Sequence, residues 1–514
     1  MIPSSRGLYP APHMTVRYGQ FKSAILMTLT VPEMPVVRKK PRSGEVGVTF
    51  AILMAALLTS ACATMPTAAP AQLVKAPDTY ATAQTLAAPN AAWPVDSWWK
   101  TYGDAQLNGL IEAALTGSPT LAQAEARLRR AQALASQAKA AQLPSASANG
   151  GVERSKQSYN NGIPPDFVPQ GYNDYGRLSL DFSWELDFWG KNRAAVAAAT
   201  SEARAAEADA AQARLMLATS VAAAYADLGR LYADRDVAER AVALRLETEK
   251  LVSDRVTNGL DTRGELRQAQ AGAPTARADL AALDEQIAQT RNGLAALLGA
   301  GPDRGLTIVR PNIVNLKPFG LPANLAANLI GRRPDIVAAK WRAEASDRRI
   351  GQAKAAFYPN VNLAAAIGVQ SLHLDKLLDS GSDVGSVGPA ISLPIFEGGR
   401  LKANLRAAEA DRDGAVAAYD SAVTQALRDV ADVTASQRAL ATRLSESQAA
   451  LAANEDGYRI ARLRYEGGLS TYQNVLIAEA AVLTQRRLVA DLDSRALVLD
   501  VALVRALGGG FGAT

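Results

Sequence analysis

The stretch RLSLDFSWELDF, residues 177–188, decides the fold. Leu178, Leu180, Phe182, Trp184 and Leu186 fall on one side of an extended chain, and Ser179, Asp181, Ser183, Glu185 and Asp187 on the other. Strict alternation of this kind predicts a β-strand with one apolar and one polar face. A strand that is apolar outside and polar inside suits an outer membrane. A small soluble sheet with one wet face would alternate in the same way. It would also leave Leu178, Phe182 and Trp184 beside helices far too long for a compact core.

Those helices begin where the strand ends. From about Gly190 to Asn258 the chain has no proline and is dominated by alanine. Roughly 68 residues of helix span about 100 Å. TNGLDT turns the chain, and a return helix reaches about Leu298 with Pro274 inside it, where a kink is expected. Ahead of the strand, a short helix, a break at GSPTL and a longer helix ending at QLPS are expected, because proline lacks an N–H and restricts the residue before it.

The same plan is written twice. Pro119 and Pro334 lie 215 residues apart, as do Pro144 and Pro359, and QAKAA recurs at the same spacing. Farther on the spacing is 209, for Gly190 and Gly399, Arg255 and Arg464, Gly259 and Gly468, Leu260 and Leu469, and Thr262 and Thr471. The chain is an internal duplication with six residues missing from the second copy between Pro359 and Gly399. SVGPAISLPIF is the second alternating strand, with Val387, Ile391 and Leu393 on one face, and SASANGGV and NVNLAAAIGV are weaker strands. Four strands cannot close a barrel, and lipid tolerates no open edge. Two, three or four chains would pool eight, twelve or sixteen strands, and physics alone does not choose among them. Trp184, Phe188 and Trp189 cluster where strand becomes helix. An interfacial girdle and ordinary helix–strand packing both account for them.

The formal charge is +5, but residues 1–61 carry seven basic and two acidic side chains. The remaining residues balance to neutrality, so the basic excess is no argument for nucleic acid. Two histidines and one cysteine leave no His/Cys metal cluster and no Cys–His nucleophile pair. VVRKKPRSGEVGVTFAILMAALLTSAC reads as a secretory leader, with Met34 as a plausible start. Cys62, the single cysteine, stands at its end and is expected to carry a covalent lipid. Ser60 and Ala61 fit a lipoprotein signal, while Thr59 stands where an apolar residue is usual. No other cofactor is expected. The expected divisions are a leader at 1–61, a lipid-anchored segment at 62–104, repeats at 105–300 and 322–508, a linker at 301–321 and a tail at 509–514.

SWELDFWGK, PIFEGGR, GRRPDIVAAKWR and QAKAAFYPNVNL resemble hallmark segments of the TolC-like outer-membrane efflux channels, in the NodT-type lipoprotein branch. The resemblance covers about 95–508 and includes the duplication. It implies a mainly α fold with a transmembrane β portion: a homotrimer whose twelve strands form one outer-membrane barrel, continuous with a long periplasmic coiled-coil tunnel. It implies a channel that performs no chemistry. Such a channel meets a periplasmic adaptor and an inner-membrane pump, usually of the resistance-nodulation-division type. It implies that the helical tips dock the adaptor, through Asn258, Gly259, Leu260, Asp261 and Thr262 and through Gly467, Gly468, Leu469, Ser470 and Thr471. Glu265, Tyr465 and Asn474 become gate candidates. Asn474 stands where many members carry an acid, so a less charged gate is expected. The rival is a lipid-anchored, non-conducting periplasmic coiled-coil scaffold, which leaves RLSLDFSWELDF unexplained.

Overall fold

The computed structural model describes residues 65, 71–76, 79–312, 319–323 and 325–512. The leader and Cys62 lie outside the described residues. Helices α1 (Ala105–Gly117) and α2 (Pro119–Ala140) lead to strands β1 (Ser145–Ser155) and β2 (Asn173–Leu186). Helices α3 (Lys191–Thr257) and α4 (Arg263–Leu297) then form a hairpin. After one helical turn, α5 (Asp303–Leu306), the order returns as α6 (Leu325–Arg332), α7 (Pro334–Ala355), β3 (Asn360–Ser371), β4 (Asp383–Ser392), α8 (Arg400–Glu466) and α9 (Tyr472–Ala506).

The duplication is literal at the level of elements. α2 and α7 each have 22 residues, α3 and α8 each 67, and α4 and α9 each 35. The loop at 372–382 is six residues shorter than its counterpart at 156–172, which is where the sequence spacing changes. Pro119 and Pro334 each occupy the first turn of a helix, where the missing N–H costs nothing. The Asp104 side chain caps α1 by accepting from the Leu107 N–H at 3.0 Å.

α3 packs against α2, α4, α7 and α9, and α8 against α7 and α9. Alanine is the commonest residue on the buried face of α3, including Ala198, Ala205, Ala208, Ala218, Ala222 and Ala238, so helix axes can approach closely there. Larger side chains gather at mid-length. Trp98, Trp99, Ile111, Tyr225 and Leu294 form one core, and Leu329, Ile336, Val423, Val430 and Leu503 its partner in the second half. Each return helix ends against a break in the other helices. A Cβ on Gly508 would lie 1.9 Å from the Arg332 carbonyl oxygen, just before Pro334. The expected tail is partly packed in, since Phe511 lies against the cluster of Ala208, Val337 and Ala338.

α4 includes Pro274 and is helical on both sides of it. Proline deletes one hydrogen bond there, and packing on α3 to either side holds the helix. One expectation is corrected. Leu393 lies outside β4, because the last pair is Asn360 with Ser392 and β3 has no residue left to offer.

Candidate functional site: sheet face and hairpin tips

The four strands form one antiparallel sheet in the order β1-β2-β3-β4. Residues directly opposite one another share a face. Phe182 stands between Ala146 and Ala365, Leu180 between Ala148 and Ile367, and Leu178 between Gly150 and Val369. β4 continues that face with Val387 opposite Ala365 and Ile391 opposite Val361. Leu178, Leu180, Phe182 and Trp184 are exposed, as are Val387 at 78 % and Ile391 at 69 %, while Leu186 is half-buried. The other face is polar and bonded across strands. Asn149 Nδ2 donates to Asp181 Oδ2 at 2.7 Å, Ser179 Oγ to the same oxygen at 2.9 Å, and Asn362 Nδ2 to Ser183 Oγ at 2.8 Å. β1 and β4 are the outer strands, so the chain alone presents two open edges.

The aromatic residues at the foot of the sheet take part in helix–strand packing. Trp184 Nε1 donates to the Gln142 carbonyl at 3.0 Å, and Trp189 Nε1 to the Pro359 carbonyl at 2.9 Å. Trp189 stacks on Tyr358 with ring centroids 4.7 Å apart. The indole N–H groups thus fasten strands to the ends of α2 and α7, while Trp184, Phe188 and Trp189 stay exposed.

At the far end of the long helices the two turns are built alike. Gly259 and Gly468 take left-handed backbone, with φ of 72° and 73°. Leu260 N–H then donates to Arg255 O at 2.9 Å, and Leu469 N–H to Arg464 O at 2.8 Å. This ending satisfies helix carbonyls and turns one leucine outward. Leu260 is 64 % and Leu469 75 % exposed. Asn258 closes α3 by donating from Nδ2 to Asp254 O at 2.8 Å, and Gly467 closes α8. Thr262 and Glu265 form a capping box: Glu265 Oε2 accepts from Thr262 N–H at 2.7 Å, and Thr262 Oγ1 from Glu265 N–H at 3.3 Å. Glu265 is thereby held to its own helix. Thr471 caps α9 without a side-chain bond, and Asn474 Nδ2 donates to Ser470 Oγ at 3.0 Å.

Asp261 and Tyr465 do something the sequence did not announce. Arg255 Nε is 3.0 Å from Asp261 Oδ2, and its Nη1 donates to the Glu466 carbonyl of α8 at 3.2 Å. The guanidinium lies over the Tyr465 ring, 4.5 Å from its centroid. The Tyr465 hydroxyl donates to Asp261. Asp261 is therefore turned inward rather than presented at the tip, with a side chain only 7 % exposed. Tyr465 is buried among Val252, Ala269, Tyr472 and Val475. Burial, and after it the bond to Asp261, holds the Tyr465 hydroxyl well above the usual tyrosine range. The bond to Asp261 likewise raises Arg255. The cluster ties the first hairpin to the second. Arg255 stood out in the sequence only as the repeat partner of Arg464, and its role comes from the fold.

Among the described residues, no group of three or more His, Cys, Asp or Glu could hold a metal ion. No described helix is long and apolar enough to cross a membrane. The surfaces available are a two-faced sheet and a pair of tied tips.

The family model described as outer membrane efflux protein matches residues 110–300 and 325–509. The chain is 32 % identical over 468 residues to the multidrug resistance outer membrane protein MdtP of Escherichia coli K12, covering 90 % of this chain and 96 % of that protein. It is 38 % identical to the fusaric acid resistance protein FusA of Burkholderia cepacia, over 70 % of this chain and 69 % of FusA. The crystal structure of the outer membrane protein VceC of Vibrio cholerae is similar, with TM-score 0.77 and 47 % identity, covering 82 % of this chain and all (100 %) of that one.

Proposed function

This chain belongs to the outer membrane efflux protein family, and from that premise we propose how its parts divide the work of an export channel. It is the outer-membrane channel of a tripartite efflux system, not an enzyme. It works as a homotrimer with an adaptor and an inner-membrane pump. Three sheets of four strands pool into one barrel, and the helices continue it as a tunnel.

In our reading, the apolar face centred on Phe182 meets lipid and the polar face around Asp181 lines the exit. Leu260 and Leu469 are the contact points for the adaptor. The Arg255–Asp261–Tyr465 cluster holds the two hairpins together and keeps the tunnel tip closed. The pump is of the proton-driven resistance-nodulation-division type. A polar, water-filled exit selects little, so the cargo is small molecules chosen by the pump. A covalent lipid on Cys62 adds a second attachment to the outer membrane.

One observation carries the reading: a four-stranded sheet with two unpaired edges whose opposite faces are cleanly apolar and polar. Phe182→Arg tests it. A charge near the bilayer midplane costs roughly 2–4 kcal/mol in a barrel. Trimers in outer-membrane fractions should fall steeply, as read by heat-sensitive migration on gels. A normal trimer yield would instead favour the non-conducting scaffold.

A further inference from the structure

The two hairpins of each chain meet along a seam that holds one incongruous residue. On α9, Tyr472, Val475, Glu479 and Val482 are buried, a three-and-four spacing that sets Glu479 in a core position between two valines. Glu479 is 0 % exposed. Neither of its carboxylate oxygens has a hydrogen-bond donor. Its counter-charge is Arg245 of α3, whose Nε lies 2.6 Å from Oε1 as an ion pair without directed hydrogen-bond geometry. Arg245 passes over Gly272 of α4, where a Cβ would sit 2.9 Å from the arginine Cδ.

The other groups around the carboxylate give it little help. From α8 the buried Tyr458 hydroxyl faces it, with Arg462 beside that hydroxyl. Beyond Tyr458, Arg462 is committed to Glu247 at 2.7 Å and Glu466 at 2.9 Å. Tyr472 stands on the same helix, its hydroxyl pushed up to about 12 by burial. On α4, Asp279 is 3.8 Å from Arg487 of α9, in the groove that Arg245 also lines.

A buried ion pair adds little net stability unless its remaining lone pairs are satisfied, because desolvation offsets the attraction. Here they are bare. An ionised Glu479 therefore strains the closed seam, and hairpin separation relieves the strain by admitting water. We propose that Glu479 is a proton-operated spring between the hairpins: ionised, it favours their separation and an open tunnel, and protonated, it lets the seam close. This rests on the reading that hairpin separation opens the tip. The direction follows from linkage. Burial raises Glu479 above the ordinary carboxylate range despite the pull of Arg245. The closed form thus binds the proton more tightly than a hydrated open form. Closure is fully favoured below the ordinary carboxylate range and weakens as pH rises through the raised value.

The test is conductance of the purified trimer in planar bilayers from pH 5 to pH 8. Open occupancy should rise with pH across that range, with a slope of up to about tenfold per pH unit for each linked proton. Glu479→Gln should be flat with pH and remain at the low, closed level. The pair Arg245→Met with Glu479→Met, which removes both charges, should also be flat, and it decides the matter if the single variant fails to form trimers. A wild-type pH profile in either variant, or a flat profile at the open level, overturns the proposal. Arg255→Ala serves as the separate check on the tip. If it leaves conductance unchanged while Glu479→Gln still flattens the profile, the tip reading fails and the spring stands.

Discussion

Arg255 makes three contacts at one place: an ion pair to Asp261, a hydrogen bond to the Glu466 carbonyl and a cation–π contact with Tyr465. Its side chain is 11 % exposed, so these contacts are sheltered from water and salt. The Glu466 carbonyl belongs to the last turn of α8, where a cation also meets the negative end of the helix dipole. Hydrogen bonds to charged groups contribute roughly 1.5–3 kcal/mol each, and 1.4 kcal/mol is a factor of about ten in an equilibrium. Arg255→Ala should therefore raise the open fraction of channels by about ten- to a hundredfold in planar bilayers. Tyr465→Phe keeps the ring and loses one bond, so its rise should be smaller. Conductance at the wild-type level in Arg255→Ala would mean that the tip is held by something else. Trimers should persist in both variants, because the cores around Tyr225 and Val423 lie far along the helices from the tips.

At the scale of elements, the hairpin turns separate a structural duty from a binding duty. The glycines end the helices, and this fully accounts for Gly259 and Gly468. It does not account for two leucines left in water at equivalent places in both repeats. Burying a leucine contributes about 1.5–3 kcal/mol. Leu260→Asp combined with Leu469→Asp should lower adaptor binding more than a hundredfold in a pull-down, while trimer yield stays normal; equal binding would remove the tips from the docking surface. Order, number and length of the elements were legible because proline and glycine punctuate both copies at fixed spacing. The tie between Tyr465 and Asp261 was not legible, because 204 residues separate them and only the packing of the first hairpin against the second, α3 on α9, brings them together. Glu479 was hidden for the same reason. Nothing nearby in sequence marks it as buried, and its partner is on another hairpin.

At the scale of the molecule, the path of the N-terminal segment bears on Cys62. Arg438 of α8 donates to the Ala87 carbonyl, Lys75 N–H to Asp420 at 3.3 Å, and Gln72 N–H to Asp413 at 3.1 Å, while Arg412 donates to the Gln72 carbonyl at 2.8 Å. Read backward from Ala87 to Gln72, the segment climbs α8 toward its first residue, Arg400, which lies at the foot of the sheet. The helix between Asp413 and Arg400 rises about 20 Å, at roughly 1.5 Å per residue. The ten residues from Gln72 to Cys62 can extend about 33 Å. A lipid on Cys62 is therefore within reach of the bilayer in which the barrel sits. A closed barrel is held in the membrane without a lipid. Cys62→Ser should accordingly abolish incorporation of labelled palmitate and lower the outer-membrane level of trimers only modestly, by less than about threefold. Equal labelling of the variant would eliminate Cys62 as the modified residue. A complete loss of trimers from the membrane would mean that the lipid, and not the pooled sheet, is the principal attachment.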